Sequence, residues 1–549
     1  MKVSDLVVKC LEAEGVKYVF GLPGEENEDL LFSLEKSKQI QFVAVRHEQG
    51  AAFMADVYGR LTGNAGVCLA TLGPGATNLI TGVADAHLDK SPLVAITGQG
   101  GSERLHKESH QNVDIVDMFR PITKWNNSIR NPQITTEVVR KAFKLAEMEK
   151  PGATHFELPE DIAKINCDME PLKPVKLRRA APDYKAIKQA VALLKKAKFP
   201  LIIAGNGAIR KMASRHLREF VEYTNIPVVS TFMGKGAISD NDDHSLFTLG
   251  MQSRDFPNCA IDKADLIITI GYDIAEYAPE FWNSERNNTI IHIDFLAAEV
   301  YSYYQPDVEI VADVSGSLWE LNKIVKEEEI RFDHSWIRKL RGEMIRDFES
   351  YRLADGAFTV PGTLRIIRKF MHPGDILISD VGSHKVWIAR NYPVYEPNSV
   401  IISNGMASMG IALPGGIAAK LAYPDRQVVT VMGDGGFLMN AQEIETARRI
   451  GIGFPIIVFN DNDYGLISWK QKGHTGKSFG TGLTNPDFVK LADSFGIKGY
   501  SPKTVDELRE NLEGAISSQE LSLIEIKIDP KVNYELTEKL KSQKCEIVL

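Results

Sequence analysis

Residues 428–465 read VVTVMGDGGFLMNAQEIETARRIGIGFPIIVFNDNDYG. The β-branched run Val428–Val431 predicts a strand, and Met432-Gly433-Asp434-Gly435-Gly436 follows it as a turn. Apolar spacing predicts a helix over Asn440–Arg449, with Glu443 and Glu445 in its early turns. A second apolar run, Ile456–Phe459, ends in Asn460-Asp461-Asn462-Asp463. Strand, helix, strand in this spacing is a βαβ unit, so both strands are parallel and their carboxyl ends face one edge. Asp434 and Asp461 then emerge together where open α/β sheets take their ligands. Two carboxylates side by side at neutral pH need a cation, and hard oxygen ligands suit Mg²⁺. Gly435 and Gly436 let backbone N–H groups approach phosphate oxygens at a helix start. The residues alone leave two readings equal: a Mg²⁺–diphosphate site, or a tight turn with two solvated aspartates.

The same alternation of short apolar runs and helical patterns extends outward in both directions, predicting an α/β fold of three doubly wound parallel-sheet units. The first unit spans residues 1–168. It holds a helix near Ser4–Glu14, strands at Tyr18–Phe20, Phe42–Val45, Val67–Ala70 and Leu93–Thr97, and a helix near Glu48–Leu61. Asp168–Asp183 is rich in proline and basic residues and reads as a linker. A central unit follows over 184–325, with strands at Pro200–Ala204, Pro227–Ser230, Leu266–Thr269 and Ile290–Ile293. The charge-dense Lys326–Phe348 leads to the last unit, 361–530, with strands at Asp375–Ser379, Gln427–Val431, Pro455–Phe459 and Leu523–Ile528. Residues 531–549 form a charged tail expected on the surface or over a site. The first and last units look alike in size, without a literal repeat.

Composition narrows the class. Lys plus Arg is 64 against Asp plus Glu 72, a net charge of -8 that offers no broad electrostatic footprint for nucleic acid or an anionic membrane. The five cysteines are scattered without a CxxC pair, which argues against a disulfide scaffold or a cysteine zinc site. Two uncharged stretches, Asn64–Ala84 and Asn398–Ala419, are interrupted by Gly and Pro and carry polar residues, so neither reads as a membrane span. The N-terminal pattern includes Asp5, Glu12 and Glu14, unlike a signal peptide. A cytoplasmic protein is the expectation.

Gly433-Asp434-Gly435, with Asn460-Asp461 beginning 26 positions after Asp434, resembles the thiamine-diphosphate motif. The resemblance implies that Asp434 and Asp461 side chains and the Asp463 backbone oxygen hold the metal. Arg46-His47-Glu48-Gln49-Gly50-Ala51-Ala52, continuing to Gly63 and followed by Gly73-Pro74-Gly75-Ala76-Thr77-Asn78, resembles the pyrimidine-binding domain of the acetolactate synthase group. A lone Glu at a helix start would be read as stabilised by the helix dipole. The resemblance instead makes Glu48 the carboxylate that works against N1′ of the aminopyrimidine. Val19–Gly24, His110-Gln111 and Phe119–Lys124 extend the match, as do Ile270–Asp273, Glu276-Tyr277, Phe281–Asn283 and Tyr304–Asp307 in the central unit. Asp380–His384 and Ile402–Met406 do so in the last. Asp at position 461, where many relatives have Asn, is similar to the catabolic, FAD-independent branch.

By that resemblance the cofactors are thiamine diphosphate and Mg²⁺. Contacts are implied for Pro23, Thr71 and Asn78 from the first unit. From the last unit they are implied for Ser383, His384, Ala407, Met409, Gly433, Asp434, Gly435, Gly436, Asp461, Asp463, Tyr464, Gly465 and Leu466. Met409 would lie beneath the cofactor and enforce its bent form, and Gln111 would touch substrate. FAD is not expected, because the place of the anabolic branch's arginine-rich segment reads Gly271–Glu276, although Ser230–Gly234 resembles that branch. The implied activity is decarboxylation of pyruvate and carboligation to a second pyruvate, giving 2-acetolactate and CO₂. The alternative is a related decarboxylase or carboligase with another 2-oxo acid donor or carbonyl acceptor. Glu26 stands where catabolic relatives have Lys, and Ala407 and Lys470 where they have Gln, all near the acceptor pocket. The family's arrangement further implies a homodimer or homotetramer with sites between subunits, which would also cover Asn64–Ala84.

A non-catalytic homologue would have lost Glu48, Asp434 or Asp461, and all three are present. Two motifs mislead. Gly473-His474-Thr475-Gly476-Lys477-Ser478 is similar to a P-loop, but its first required Gly falls at Gln471 and no strand precedes it. Gly205-Asn206-Gly207 resembles a dinucleotide loop, but Arg210 occupies the third Gly, leaving nicotinamide binding weakly supported.

Overall fold

In the computed structural model, which describes residues 1–175, 179–210, 212–251, 254–542 and 545, the named strands pair in parallel and form three six-stranded sheets. The first sheet comprises β1 (Tyr18–Gly21), β2 (Gln41–Ala44), β3 (Gly66–Ala70), β4 (Leu93–Gln99), β5 (Trp125–Ser128) and β6 (Ala153–Pro159). Its order is β2-β1-β3-β4-β6-β5. The middle sheet comprises β7 (Pro200–Ala204), β8 (Val228–Ser230), β9 (Ser245–Thr248), β10 (Leu266–Ile270), β11 (Thr289–Asp294) and β12 (Val308–Val311), ordered β12-β11-β10-β7-β8-β9. The last comprises β13 (Ile376–Ser379), β14 (Val400–Ile402), β15 (Val428–Gly433), β16 (Pro455–Asn460), β17 (Lys498–Tyr500) and β18 (Ser522–Lys527), ordered β14-β13-β15-β16-β18-β17. First and last sheets thus share one topology, a kinship of architecture that leaves no literal repeat in the residues. In each, the strand order reverses beside its first strand, and that switch point opens a crevice at the carboxyl ends.

Every strand expected from the apolar runs is present. Six others were not expected, and five of these (β5, β9, β12, β14, β17) are sheet edges of three or four residues. An edge strand has one pairing partner and a short apolar signature, as in the alternating burial of β12 or the polar WNNS of β5. The sixth, β6, is buried throughout yet carries His155 and Glu157, which bond across the sheet to Thr97 (2.9 Å, through Nε2) and Gln99 (3.1 Å). The helix expected over Asn440–Arg449 differs too. Helix Asp434–Asn440 begins directly at the end of β15, and a second helix, Glu443–Arg449, follows a break at Ala441-Gln442. Gly436 lies in the first of these helices, close to Asp380, whose Oδ2 is 2.8 Å from where a Cβ would stand.

One hydrophobic core joins the first and last sheets. Helix Glu48–Thr62 packs its Ala51, Ala55 and Val57 among Leu413, Ile417 and Ala418 of helix Ala412–Ala422 and against helix Pro74–Leu88. Small residues make the approach possible: a Cβ on Gly82 would stand 2.5 Å from that of Ala52. The uncharged stretches are strand–loop–helix segments, largely buried. Arg390 ties the last unit to the middle one, buried between Asp255 (2.7 Å) and Asp347 (2.7 Å). The tail is an amphipathic helix, Lys531–Ser542, whose Val532, Leu536 and Leu540 join the core of the last unit. Cys545 beyond it pairs with Cys259, a disulfide across 286 residues that no local spacing announces. Residues 543–544 and 546–549 of the tail, and 176–178 of the linker, lie outside the described residues. Among the described residues no helix is long and apolar enough to cross a membrane.

Candidate active site

β15 and β16 are in register with Gly433 opposite Phe459, so Asp434 and Asp461 leave the same edge of the last sheet. On the other side of β15 lies β13, which ends at Ser379 and delivers Asp380–His384 to the switch point. Thirteen residues that the sequence nominates in this unit line one cavity of about 210 Å³. They are Ser383, His384, Ala407, Met409, Gly433, Asp434, Gly435, Gly436, Asp461, Asp463, Tyr464, Gly465 and Leu466. Val381, Gly382, Phe459, Ile467 and Ile528 complete its wall and were not nominated.

Asp434 is held firmly. Its Oδ2 accepts from Asn462 N (2.9 Å) and Asn485 Nδ2 (2.6 Å), and its Oδ1 from Gly435 N (2.9 Å). Burial raises its pKa despite these bonds. Asp461 is pushed up to about 7, by burial first and then by the charge of Asp434. Its carboxylate fills the space in front of Gly465, where a Cβ would stand 2.5 Å from Oδ2, so only glycine fits there. Burial also keeps the His384 ring neutral, with its pKa lowered to about 4. His384 Nε2 and Asp463 Oδ1 are buried and accept or donate no hydrogen bond within the protein.

These features fit a cation and a phosphorylated ligand. Two desolvated carboxylates with upward-shifted pKa values mark a place where positive charge is missing, and an oxygen donor set suits a hard divalent ion. Among the described residues no cluster of three or more His, Cys, Asp or Glu side chains could hold a metal ion. The remaining ligands of a six-coordinate ion would then come from a backbone carbonyl, from phosphate oxygens and from water. His384 Nε2 is one orphaned polar atom available to a ligand.

The first unit builds a second constellation at its own switch point. Glu48 opens helix Glu48–Thr62 and is buried, its Oε2 accepting from Asn78 Nδ2 at 2.9 Å. The turn before it is pinned from the last unit, because Glu443 Oε1 accepts from the N–H groups of Arg46 (3.0 Å) and His47 (3.1 Å). Thr71 donates to Glu26 (3.0 Å), and Gly24, next to the exposed Pro23, packs on Thr71. Gly73, at φ +54°, lets Gln111 pack against its backbone. Glu26 is buried and faces Arg104 at 3.9 Å, which pairs more closely with Glu160 at 3.2 Å. Lys470 is exposed on helix Gly465–Thr475.

Within one chain the residues named from the sequence thus fall into two groups. None of Pro23, Glu48, Thr71, Asn78 or Gln111 lines the cavity of the last unit. Asn485, Asn462 and Glu443 were missed because each acts on a residue distant in sequence. Asn485 lies in a loop with no pattern to single it out. The P-loop-like Gly473–Ser478 falls at the end of helix Gly465–Thr475, which Gly476 terminates in the left-handed region.

Comparison with known proteins agrees with this layout. Residues 1–118 match the thiamine pyrophosphate enzyme N-terminal TPP binding domain, 187–321 the central domain, and 380–526 the C-terminal TPP binding domain. The chain is 34% identical to the acetolactate synthase of Bacillus subtilis over 99% of its own length and 96% of that protein's. It is 35% identical to the probable acetolactate synthase large subunit of Methanocaldococcus jannaschii, over 96% and 92%. It is also 34% identical to the catabolic acetolactate synthase of Raoultella terrigena, over 96% and 95%. A thiamine pyrophosphate enzyme by domain content and by full-length likeness, the chain belongs to the acetolactate synthase family.

Proposed function

We propose that this protein decarboxylates pyruvate and joins the remaining two-carbon unit to a second pyruvate, releasing CO₂ and 2-acetolactate. The observation that carries the reading is the cavity formed by all thirteen nominated residues of the last unit, with two desolvated carboxylates at its edge. Thiamine diphosphate, when bound, would supply a nucleophilic carbon for the keto group and a cationic thiazolium ring that takes up the electron pair released on decarboxylation. The chain's own residues bind, orient and move protons. Asp434, Asp461 and the Asp463 carbonyl would hold Mg²⁺, with His384 and Ser383 toward the diphosphate. Met409 would support the cofactor from below, and Glu48 would carry the proton at N1′. The division of labour proposed is 1–168 for the pyrimidine, 184–325 for the central domain, 361–530 for diphosphate and metal, and 531–549 as a tail.

FAD has no part in this reading. Supporting this, polar groups at the middle sheet's switch point between β7 and β10 are paired within the chain. Glu276 accepts from Asn206 N (2.9 Å) and from the Thr231 hydroxyl, and Lys150 from the first unit bridges Asp273 (2.6 Å) and Asp294 (2.7 Å). We place the activity in the cytoplasm, where 2-oxo acids and phosphorylated cofactors meet; Cys10, Cys68 and Cys167 are free, and the Cys259–Cys545 disulfide is a feature unusual for that compartment.

The two groups of residues support a site shared between chains, in a homodimer or a pair of dimers. Met406, Leu438, Met439 and Ile467 expose apolar side chains at or beside the cavity, a surface suited to a second subunit's first unit. Mixing inactive Glu48→Gln and Asp434→Ala proteins, after subunit exchange verified by mass, is expected to restore part of the activity. One hybrid site carries both lesions and the other neither. Nil recovery, or an active monomer on sedimentation, would overturn the shared site. The reaction itself is tested by incubating the purified protein with pyruvate, thiamine diphosphate and Mg²⁺ and identifying the product. Acetolactate is expected. Acetaldehyde alone, or turnover only with another acceptor, would favour the alternative carboligase reading that Glu26, Ala407 and Lys470 leave open.

A further inference from the structure

We infer that Asp85 and Asp89 are positioning residues that set the floor of the cofactor cavity from within the same chain. The inference rests on the reading above, in which Glu48 serves the partner's site. Both acids sit at the end of helix Pro74–Leu88, four residues apart on one face, and both are fully buried. Such a placement is costly. Like charges at that spacing repel, the helix carboxyl end disfavours anions, and a third buried acid, Asp56, lies close by.

What offsets the cost is the Arg60 side chain, whose Nη1 lies 3.4 Å from Asp89 Oδ2 and donates to the Ile402 carbonyl at 2.8 Å, together with the loop after β14. Ser403 Oγ donates to Asp85 Oδ1 at 2.7 Å, and Ser408 N to the same oxygen at 3.3 Å. Gly405 N donates to Asp89 Oδ1 at 2.5 Å, and Asn404 N to Asp89 Oδ2 at 3.2 Å. A Cβ on Gly405 would stand 2.8 Å from Asp89 Oδ1, so the backbone must come this close. The segment so clamped leads directly to Ala407 and Met409, the cavity's floor. Ala407 is held at φ +56°, a left-handed conformation that a non-glycine residue keeps only where its surroundings over-determine it. Downstream, Gly410 N is fixed on Asp380 at 2.8 Å. The floor is thus strung between an anchor in the last unit and two carboxylates of the first.

Each active site then uses two copies of the first unit, the partner's for Glu48 and its own for the loop. Asp89→Asn puts an amide N–H₂ against backbone N–H donors, and Ser403→Ala removes the hydroxyl on Asp85 without changing charge. Both are expected to lower kcat, Asp89→Asn by about ten- to a hundredfold through misplacement of the floor, with thiamine diphosphate still retained. A fall in melting temperature with kcat and KM unchanged in both variants would overturn the inference. The subunit-mixing test assigns the site served. Asp89→Asn mixed with Glu48→Gln should regain activity, because one hybrid site is free of both lesions. Mixed with Asp434→Ala it should not, because each hybrid site keeps one lesion. Recovery in that second mixture means that Asp89 serves the neighbouring site and overturns the same-chain assignment. A failure of the Glu48→Gln with Asp434→Ala control instead removes the shared site, and the kinetics alone then decide the role of the loop.

Discussion

Glu48→Gln is expected to lose most turnover, on the order of 10²- to 10⁴-fold, the range that a positioned acid–base group contributes. The resemblance assigns this carboxylate the proton at the aminopyrimidine, and an amide cannot act as an acid or base there. The shape of the site should survive. Asn78 Nδ2 still finds an oxygen acceptor, and Glu443 still pins the turn from the other side of the helix start. Losing a charge from the first helical turn costs about 0.3–1 kcal/mol, too little to unfold the chain. Steady-state acetolactate formation beside a cofactor titration separates the two effects. Near-normal turnover in the variant would sink the assignment of Glu48.

Asp434→Ala should act on the opposite end of the cofactor. On the proposed reading it removes one metal ligand and leaves Asp461 without a shared cation; Asn462 N and Asn485 Nδ2 each lose one acceptor and keep Asn460 Oδ1. Thiamine diphosphate and Mg²⁺ affinity should fall together, by at least about a hundredfold, the upper end of what even an outer partner costs a metal site. Equilibrium titration of each component at a fixed excess of the other is the measurement. If stability drops while cofactor affinity holds, the Gly433–Gly436 segment is only a turn.

Much of the site was legible because its residues cling to strand ends. Asp434 and Asp461 each stand directly after an apolar run, and the pairing of β15 with β16 converts that local fact into proximity. Glu48 was legible through its resemblance, since a Glu at a helix start has an ordinary structural explanation. The helix break at Ala441-Gln442 was not legible, because Gly435 and Gly436 read as a turn until Asp380 is seen against them. Edge strands were lost for want of a second partner to demand a longer apolar run.

The amino-acid sequence by itself determined the alternating α/β architecture, which depends on periodicity, while the residues proposed for the diphosphate were named through the family resemblance and line one cavity in the structure. Only the tertiary structure decided which distant groups hold those residues in place. Gly405 and Asp89 are 316 residues apart, and His47 and Glu443 are 396 apart. No spacing rule links them, because a hydrogen bond between such partners depends on how whole helices pack. The same physics sets the relation between the two groups of residues. Glu48 and Asp434 each lie at the switch point of their own sheet, and it is the packing of helix Glu48–Thr62 on helix Ala412–Ala422 that sets where those two crevices stand.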